Sequence, residues 1–321
     1  MGSVATRANF CTSCCVAGNG GDEMESALIR YFREVYRCGS IREASANLNV
    51  APSAVSRQIM KLEDQLGVAL FERRPRGVAP TEAGEVLARF ARDVQLDITR
   101  LHGEIDAING LRRGHVRLLS TEGLVSHVLT GLVAAFSARY PGIGFSLTIT
   151  GTAGIAEGIK AGEADIGFAF DAEPDPQLDF ALQIRDPLCL VTAPGHPLLA
   201  RETLTMADLA AFPFGLPQSS FAIRRLIDAE FRRERIALQP AMETNSIEAL
   251  RGLVRSGMLI ACLPSLPIRG ELDAGLLVSR PLPVESFKLT THDICVLANR
   301  PLPPAVAAFL THTRQTLAPP G

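Results

Sequence analysis

The chain is 321 residues long with 47% hydrophobic content, enough for more than one domain and a substantial core. Its formal net charge of −2 excludes a global basic field, so any attraction to nucleic acid has to come from a local patch. No apolar run approaches the ~20 residues that span a bilayer, which excludes a helical membrane anchor and makes the cytoplasm the expected compartment.

Residues 1–23, rich in Gly, Ser, Ala and Cys, read as a disordered extension, with Met24 as the expected natural start. Cys11, Cys14 and Cys15 resemble half of a metal site, but no second ligand pair follows and the nearest histidine is His102. No metal and no cofactor are therefore expected. Cys38, Cys189, Cys262 and Cys295 lack paired spacing, as reduced thiols do.

Leu28, Ile29, Phe32, Val35 and Tyr36 recur at helical spacing and stop at Cys38-Gly39, which predicts a first helix. Ser40 and Glu43 have the spacing of a capping box, and a second helix over about 41–48 follows. Pro52 then opens a third helix with Val55, Ile59, Leu62 and Leu66 inward and Ser53, Ser56, Arg57, Met60 and Lys61 outward. The run Arg73-Arg74-Pro75-Arg76-Gly77 places three guanidinium groups in a turn-forming stretch, a wing suited to phosphate contact. Residues 24–81 thus have the outline of a winged helix-turn-helix, whose third helix suits the major groove of double-stranded DNA. The candidate DNA contacts are Ser40, Ser53, Ser56, Arg57, Lys61, Arg73, Arg74 and Arg76. Net charge alone would not call for DNA, since residues 25–86 hold nine Lys/Arg against eight Asp/Glu. Cap, spacing and basic turn do so together.

Thr81 and Glu82 open a proline-free stretch that reads as a linker helix within residues 82–112. Leu87, Ala91, Val94, Ile98, Leu101, Ile105 and Ile108 recur there in alternating steps of four and three, the 3.5-residue period of a two-stranded seam. The alternative is one long helix packed on its own domain. A dimer built on the seam would bring two recognition helices to two half-sites of a pseudo-palindrome.

From His115 strands alternate with helices. Val116 to Leu119 reads as a strand, Leu124 to Tyr140 as a helix, and Phe145 to Ile149 as a strand. Ile155 to Ala161 reads as a helix and Ala164 to Phe170 as a strand, an α/β arrangement with a parallel sheet. Further on come a strand from Leu188 to Thr192, helices near 223–234 and 247–256, and a buried run from Met258 to Leu263 closed by Pro264.

Taken together, these residues resemble the LysR-type transcriptional regulators, closely over about 25–84 and more loosely to about 315. The family usually reads Ser-Gln-Pro-Ala-Val-Ser-Arg-Gln where this chain has Ala51-Pro52-Ser53-Ala54-Val55-Ser56-Arg57-Gln58. Pro52 stands where a base-contacting glutamine is common, and Ala51 replaces a capping serine at a cost of ~1 kcal/mol. Operator sequence therefore does not carry over, although the family's outward Ser and Arg survive as Ser56 and Arg57.

The resemblance implies an α/β fold with an α-rich head: winged helix-turn-helix, linker helix, then a two-lobed effector domain like a periplasmic binding protein over 114–321. Lobe one is expected at 114–186 and 290–321 and lobe two at 187–289, with crossover strands near 185–188 and 287–289. It also implies a small-molecule inducer held between the lobes, assembly as a homodimer or homotetramer, and RNA polymerase as a further candidate partner.

Hydroxyls at helix starts facing that cleft would favour a small anion. The effector-site candidates are Ser120, Thr121, Thr152, Ser220, Phe221 and Ser246, with Thr152 foremost because Gly151-Thr152 resembles the position where relatives hold inducer. Each could equally be a plain N-cap with no ligand. A regulator without small-molecule input stays open. A solute-binding protein would need a secretory signal and no DNA-binding head. An enzyme using Cys189, Cys262 or Cys295 beside His292 is disfavoured because all three thiols sit in apolar runs.

Overall fold

The computed structural model describes residues 27–75, 77–108 and 113–317. The expectations for residues 1–23, Met24 and Arg76, and for the side chain of Ile108, lie outside the described residues. Between His102 and Gly103 the chain divides into two compact units.

The first unit packs helices α1 (Ala27–Cys38), α2 (Ile41–Asn47) and α3 (Pro52–Leu66) around Phe32, Val35, Val55, Ile59, Leu62 and Leu70. Gly39, at φ +62°, ends α1, and Gly67, at φ +70°, ends α3; both adopt the left-handed conformation that glycine tolerates without strain. Ser40 caps α2 by accepting from the Glu43 amide at 3.3 Å, so only one half of the expected capping box forms among the described residues. Strands β1 (Phe71–Arg74) and β2 (Gly77–Pro80) pair antiparallel as the wing. The wing is seated by the Val78 amide donating to the Gly39 carbonyl at 2.8 Å.

Helix α4 (Glu82–Ile108) starts at Thr81, whose hydroxyl accepts from the Gly84 amide at 3.0 Å and donates to the Ala69 carbonyl at 2.7 Å. The 3.5-residue line is not one free seam. Leu87 packs on the first unit's own core, and Ala91 and Ile98 are buried within the chain, because α4 lies alongside α1, with Arg33 donating to Gln95 at 2.6 Å. Leu101, Ile105 and the off-line Val86 and Phe90 remain exposed.

The second unit has two lobes. In lobe one, β3 (Gly114–Ser120), β4 (Ile143–Ile149) and β5 (Ile166–Phe170) are parallel, while β6 (Leu178–Arg185) joins a fifth strand at one edge. The expected helix over 124–140 begins earlier, as α5 (Glu122–Leu124), and passes through a π-helical turn at Val125–Leu129 before α6 (Thr130–Arg139). Helix α7 (Thr152–Lys160) connects β4 to β5. The chain then crosses to lobe two: β7 (Cys189–Thr192), α8 (Met206–Ala210), β8 (Gly215–Pro217), α9 (Ala222–Arg233), β9 (Met242–Thr244), α10 (Ile247–Arg255), β10 (Ala261–Leu263), α11 (Arg269–Asp273) and β11 (Val278–Pro281). It returns through α12 (Glu285–Lys288) to β12 (Thr291–Leu297) and α13 (Pro304–Leu317).

Three expectations are corrected by the structure. The sheet of lobe one, in order β4-β3-β5-β12-β6, is mixed, because β12 re-enters beside the departing β6 and runs antiparallel to both β6 and β5. The return crossing is a helical turn followed by Leu289 and Thr290, not a strand. Met258 is 60% exposed, since it sits in the turn after Gly257 (φ +76°), and the buried run starts at Leu259.

Gly77 has φ +112°, and a Cβ there would overlap the Gly39 carbonyl oxygen that receives the wing. Gly77→Ala should therefore lower the stability of the first unit by about 2 kcal/mol or more. Urea melts of the wild type and the variant check this, and an unchanged midpoint contradicts it.

Candidate functional site

In the first unit α3 presents Ser53, Arg57, Met60 and Lys61 exposed and Ser56 half-buried, opposite the buried Val55, Ile59 and Leu62. No side chain caps α3 at Ala51, so its first turn, with Ser53 and Pro52, is an open end. The near-neutral charge of this unit is unevenly spent. Glu63 accepts from the Leu70 and Phe71 amides at 2.7 and 3.3 Å, Glu85 from the Tyr36 hydroxyl at 2.9 Å, and Glu34 from Arg37 and Asn47. Burial pushes the Glu34 carboxyl up, but its bonds from Arg37 and Asn47 outweigh this and hold it below the ordinary carboxylate range.

Arg57, Lys61 and Arg73 have no ion-pair partner among the described residues, and Arg74 meets Glu72 only at 3.9 Å with both exposed. Glu34, Glu63 and Glu85 are thus spent on bonds within the unit, whereas Glu43, Asp64 and Glu72 stay exposed, and Arg57, Lys61 and Arg73 are left as unpaired basic groups on the outward face. Ser40 is placed differently from the others, because its hydroxyl is used as the cap of α2.

In the second unit a cleft of about 540 Å³, counted to its open mouth, lies between the lobes. Lobe one supplies Thr121, Thr150, Gly151, Thr152 and Phe170. Lobe two supplies Phe221, Ile223, Ile247, Leu263 and Ile268, and β12 adds His292. Of the six candidates named from sequence, Thr121, Thr152 and Phe221 line this cleft and three do not. Ser120 is fully buried, its hydroxyl donating to the Thr121 carbonyl at 2.9 Å. Ser220 lies exposed outside the wall. Ser246 caps α10, accepting from the Ala249 amide and donating to Glu122 at 2.8 Å.

The lining does not support the expectation of an anionic ligand. No Arg or Lys lines the cleft. The N-terminus of α10 already holds a carboxylate: Glu122 of lobe one accepts from the Ser246 hydroxyl and, at 2.7 Å, from the Ile247 amide. Helices α7 and α9 also begin at the wall, but a helix end gives an anion about 1 kcal/mol, against a desolvation penalty of several kcal/mol for an unpaired ion. Among the described residues no Asp or Glu lines the cleft either: Asp293, the strand neighbour of His292, is turned to the other side, where it accepts from the Ala172 amide at 2.8 Å and from Gln183 at 2.9 Å.

Sequence reasoning missed the hinge. Asp186, 3% exposed on the outward crossing, accepts from the Ser265 amide and hydroxyl at 2.9 and 2.6 Å, from the Leu266 amide at 2.6 Å and from His292 Nε2 at 3.0 Å. Its backbone pairs with Thr290 on the return crossing. Burial pushes this carboxyl up, yet the bonds from His292, Ser265 and Leu266 outweigh it and hold the pKa below its ordinary 3.8. An ionised, acceptor-only Asp186 fixes the proton of His292 on Nε2, and His292 Nδ1 has no hydrogen-bond partner among the described residues. The only signal in the sequence was a histidine inside an apolar strand run.

Buried thiols complete the inventory. Burial pushes Cys189 and Cys262 up and Cys295 up to about 12, so none is an activated nucleophile.

A winged helix-turn-helix with unpaired basic side chains on its outward face, followed by two α/β lobes around a cleft, defines a transcription regulator with a ligand domain. Residues 27–85 match the family model described as bacterial regulatory helix-turn-helix protein, lysR family, and residues 109–318 match the LysR substrate binding domain. The chain belongs to the LysR family: it is a DNA-binding transcriptional regulator with a substrate-binding domain. It is 30% identical over 300 residues to a protein of Synechococcus elongatus named "Probable HTH-type transcriptional regulator LrrA", covering 91% of this chain and 97% of that one. It is 26% identical over 259 residues to the RuBisCO operon transcriptional regulator of Allochromatium vinosum, covering 81% and 85%. Among solved structures, a full-length OxyR variant from Pseudomonas aeruginosa superposes with TM-score 0.62 at 20% identity, covering 90% of this chain and 95% of that one. Full-length CbnR in complex with its target DNA gives TM-score 0.55 at 22% identity, covering 91% and 100%.

Because the folded-state pKa of Asp186 is depressed, its contribution to stability is fully present above the unfolded value and is lost as pH falls through the folded one. At neutral pH Asp186→Asn should cost about 3 kcal/mol. The gap between wild type and variant should close as pH drops below about 4, in chemical unfolding followed across pH. A gap that stays constant down to about pH 2.5 would show that the carboxylate charge is not what the hinge uses.

Proposed function

We propose that this chain binds operator DNA in the cytoplasm as a homo-oligomer, with α3 in the major groove and the wing on the backbone, and that a small molecule in the cleft shifts that binding. It acts by binding, not by catalysis. The observation that carries the DNA reading is the outward face of α3 and β1, where Arg57, Lys61 and Arg73 stand exposed without ion-pair partners among the described residues, while Glu63 and Glu85 are spent on bonds within the unit. Exposed Val86, Phe90, Leu101 and Ile105 on α4 support self-association.

The cleft reading is supported by walls drawn from both lobes. A ligand held there has more contacts when the lobes are closed, so it biases their arrangement by its differential affinity. This chain is similar to CbnR, which has been solved with its target DNA. A comparable target is assigned to this chain as part of the proposal.

The test is selection of binding sites from a randomised duplex pool. The selected sites should contain two half-sites related by a pseudo-dyad. Arg57→Ala should bind them more weakly by ~1–3 kcal/mol, whereas Arg73→Ala should weaken all sequences alike and reduce the salt slope by about 1. Failure to enrich any sequence, or full affinity in the Arg57 variant, would remove α3 from the interface.

A further inference from the structure

We propose that the cleft takes an uncharged, largely apolar molecule bearing one hydrogen-bond donor, and that His292 Nδ1 receives that donor. The proposal rests on the reading of the cleft as the effector site and specifies the chemistry of what enters it.

The wall sets the apolar part. Phe170, Phe221, Ile223, Ile247, Leu263 and Ile268 surround the space from both lobes, and no Arg, Lys, Asp or Glu is among its lining residues. A molecule seated there exchanges water for hydrocarbon and aromatic surface, which rewards apolar area and penalises charge.

Polar groups at the wall are mostly committed. The Thr152 hydroxyl donates to the Phe170 carbonyl at 2.8 Å, and that of Thr121 points to the Phe168 carbonyl at 3.5 Å. Thr150 keeps a hydroxyl without a partner among the described residues, but a hydroxyl both donates and accepts and so does not discriminate.

His292 does discriminate. It is 2% exposed, it forms part of the wall, and its Nδ1 is buried without a partner among the described residues. Nε2 donates to the ionised Asp186 at 3.0 Å, so with a single proton on the ring the lone pair lies on Nδ1. A buried acceptor left unpaired is unfavourable, and a ligand donor removes that penalty. Asp186 behind the ring makes the same position unfavourable for a carboxylate.

Phenol, toluene and benzoate share one ring and differ only in offering a donor, a methyl group or an anion. They can be titrated at pH 8, above the ordinary imidazole range, into the full-length protein with its isoleucine methyl groups labelled for NMR. The methyl signals of Ile223, Ile247 and Ile268 report where each probe sits.

The expected result is phenol and toluene in the cleft and benzoate excluded. The affinity of phenol relative to toluene should fall about tenfold in His292→Phe, the effect of one lost hydrogen bond. Should that variant not fold, the preference of the wild type for phenol over benzoate still decides. Benzoate binding more tightly than phenol at the same methyl groups would overturn the ligand class, as would an equal phenol-to-toluene ratio in wild type and variant. Methyl signals that respond to no probe would overturn the cleft reading itself.

Discussion

One buried carboxylate organises the second unit. Asp186 stands where the chain leaves lobe one, and its four side-chain bonds reach the chain on its way back, at His292, and the Ser265–Leu266 turn of lobe two. A buried ion persists only when its lone pairs are filled, and here they are filled by groups from two separate segments, the Ser265–Leu266 turn and β12. The two crossings are thereby held side by side, with the Leu188 amide donating to the Phe287 carbonyl at 2.9 Å. The tautomer of His292, which lines the cleft, is a consequence of the same constraint.

Two further contacts hold the lobes in the arrangement seen. Glu122 of lobe one caps α10 of lobe two, which places a tethered carboxylate where a free one would otherwise be welcome. His127 of lobe one lies 2.7 Å from Arg251, which is buried against Glu271 of lobe two. Each contact is polar and pairs one lobe with the other, so opening the cleft exchanges these bonds for water at modest net cost.

Much of the first unit was legible in the sequence because its signals are local: helical spacing in Leu28 to Tyr36, the serine cap before α2, Pro52 at the start of α3, and the arginine-rich turn. The linker period was legible too, but not its partition, because Leu87 faces its own core while Leu101 and Ile105 stay exposed. In the second unit β3, β4, β5, β7 and β10 and the helices α6, α7, α9 and α10 could be read, while β6, β8, β9 and β11 and the short helices of lobe two were missed. The direction of β12 could not, since it depends on a return from more than a hundred residues away. Helix-start hydroxyls were poor guides to the cleft for the same reason: Ser246 and Ser120 carry the expected residue type, yet their bonds go to Glu122 and to the Thr121 backbone. Asp186, Ser265 and His292 meet only in three dimensions.

Both the hinge and the polarity of the cleft turn on which nitrogen of His292 carries the proton, and this can be read directly from the imidazole nitrogen signals of the ¹⁵N-labelled protein at pH 8. A ring protonated on Nε2, with an unprotonated Nδ1 whose signal moves when phenol is added, is the predicted result. A proton on Nδ1 would contradict it: Asp186 would then not be receiving Nε2–H, and the cleft would offer its ligand a donor in place of an acceptor.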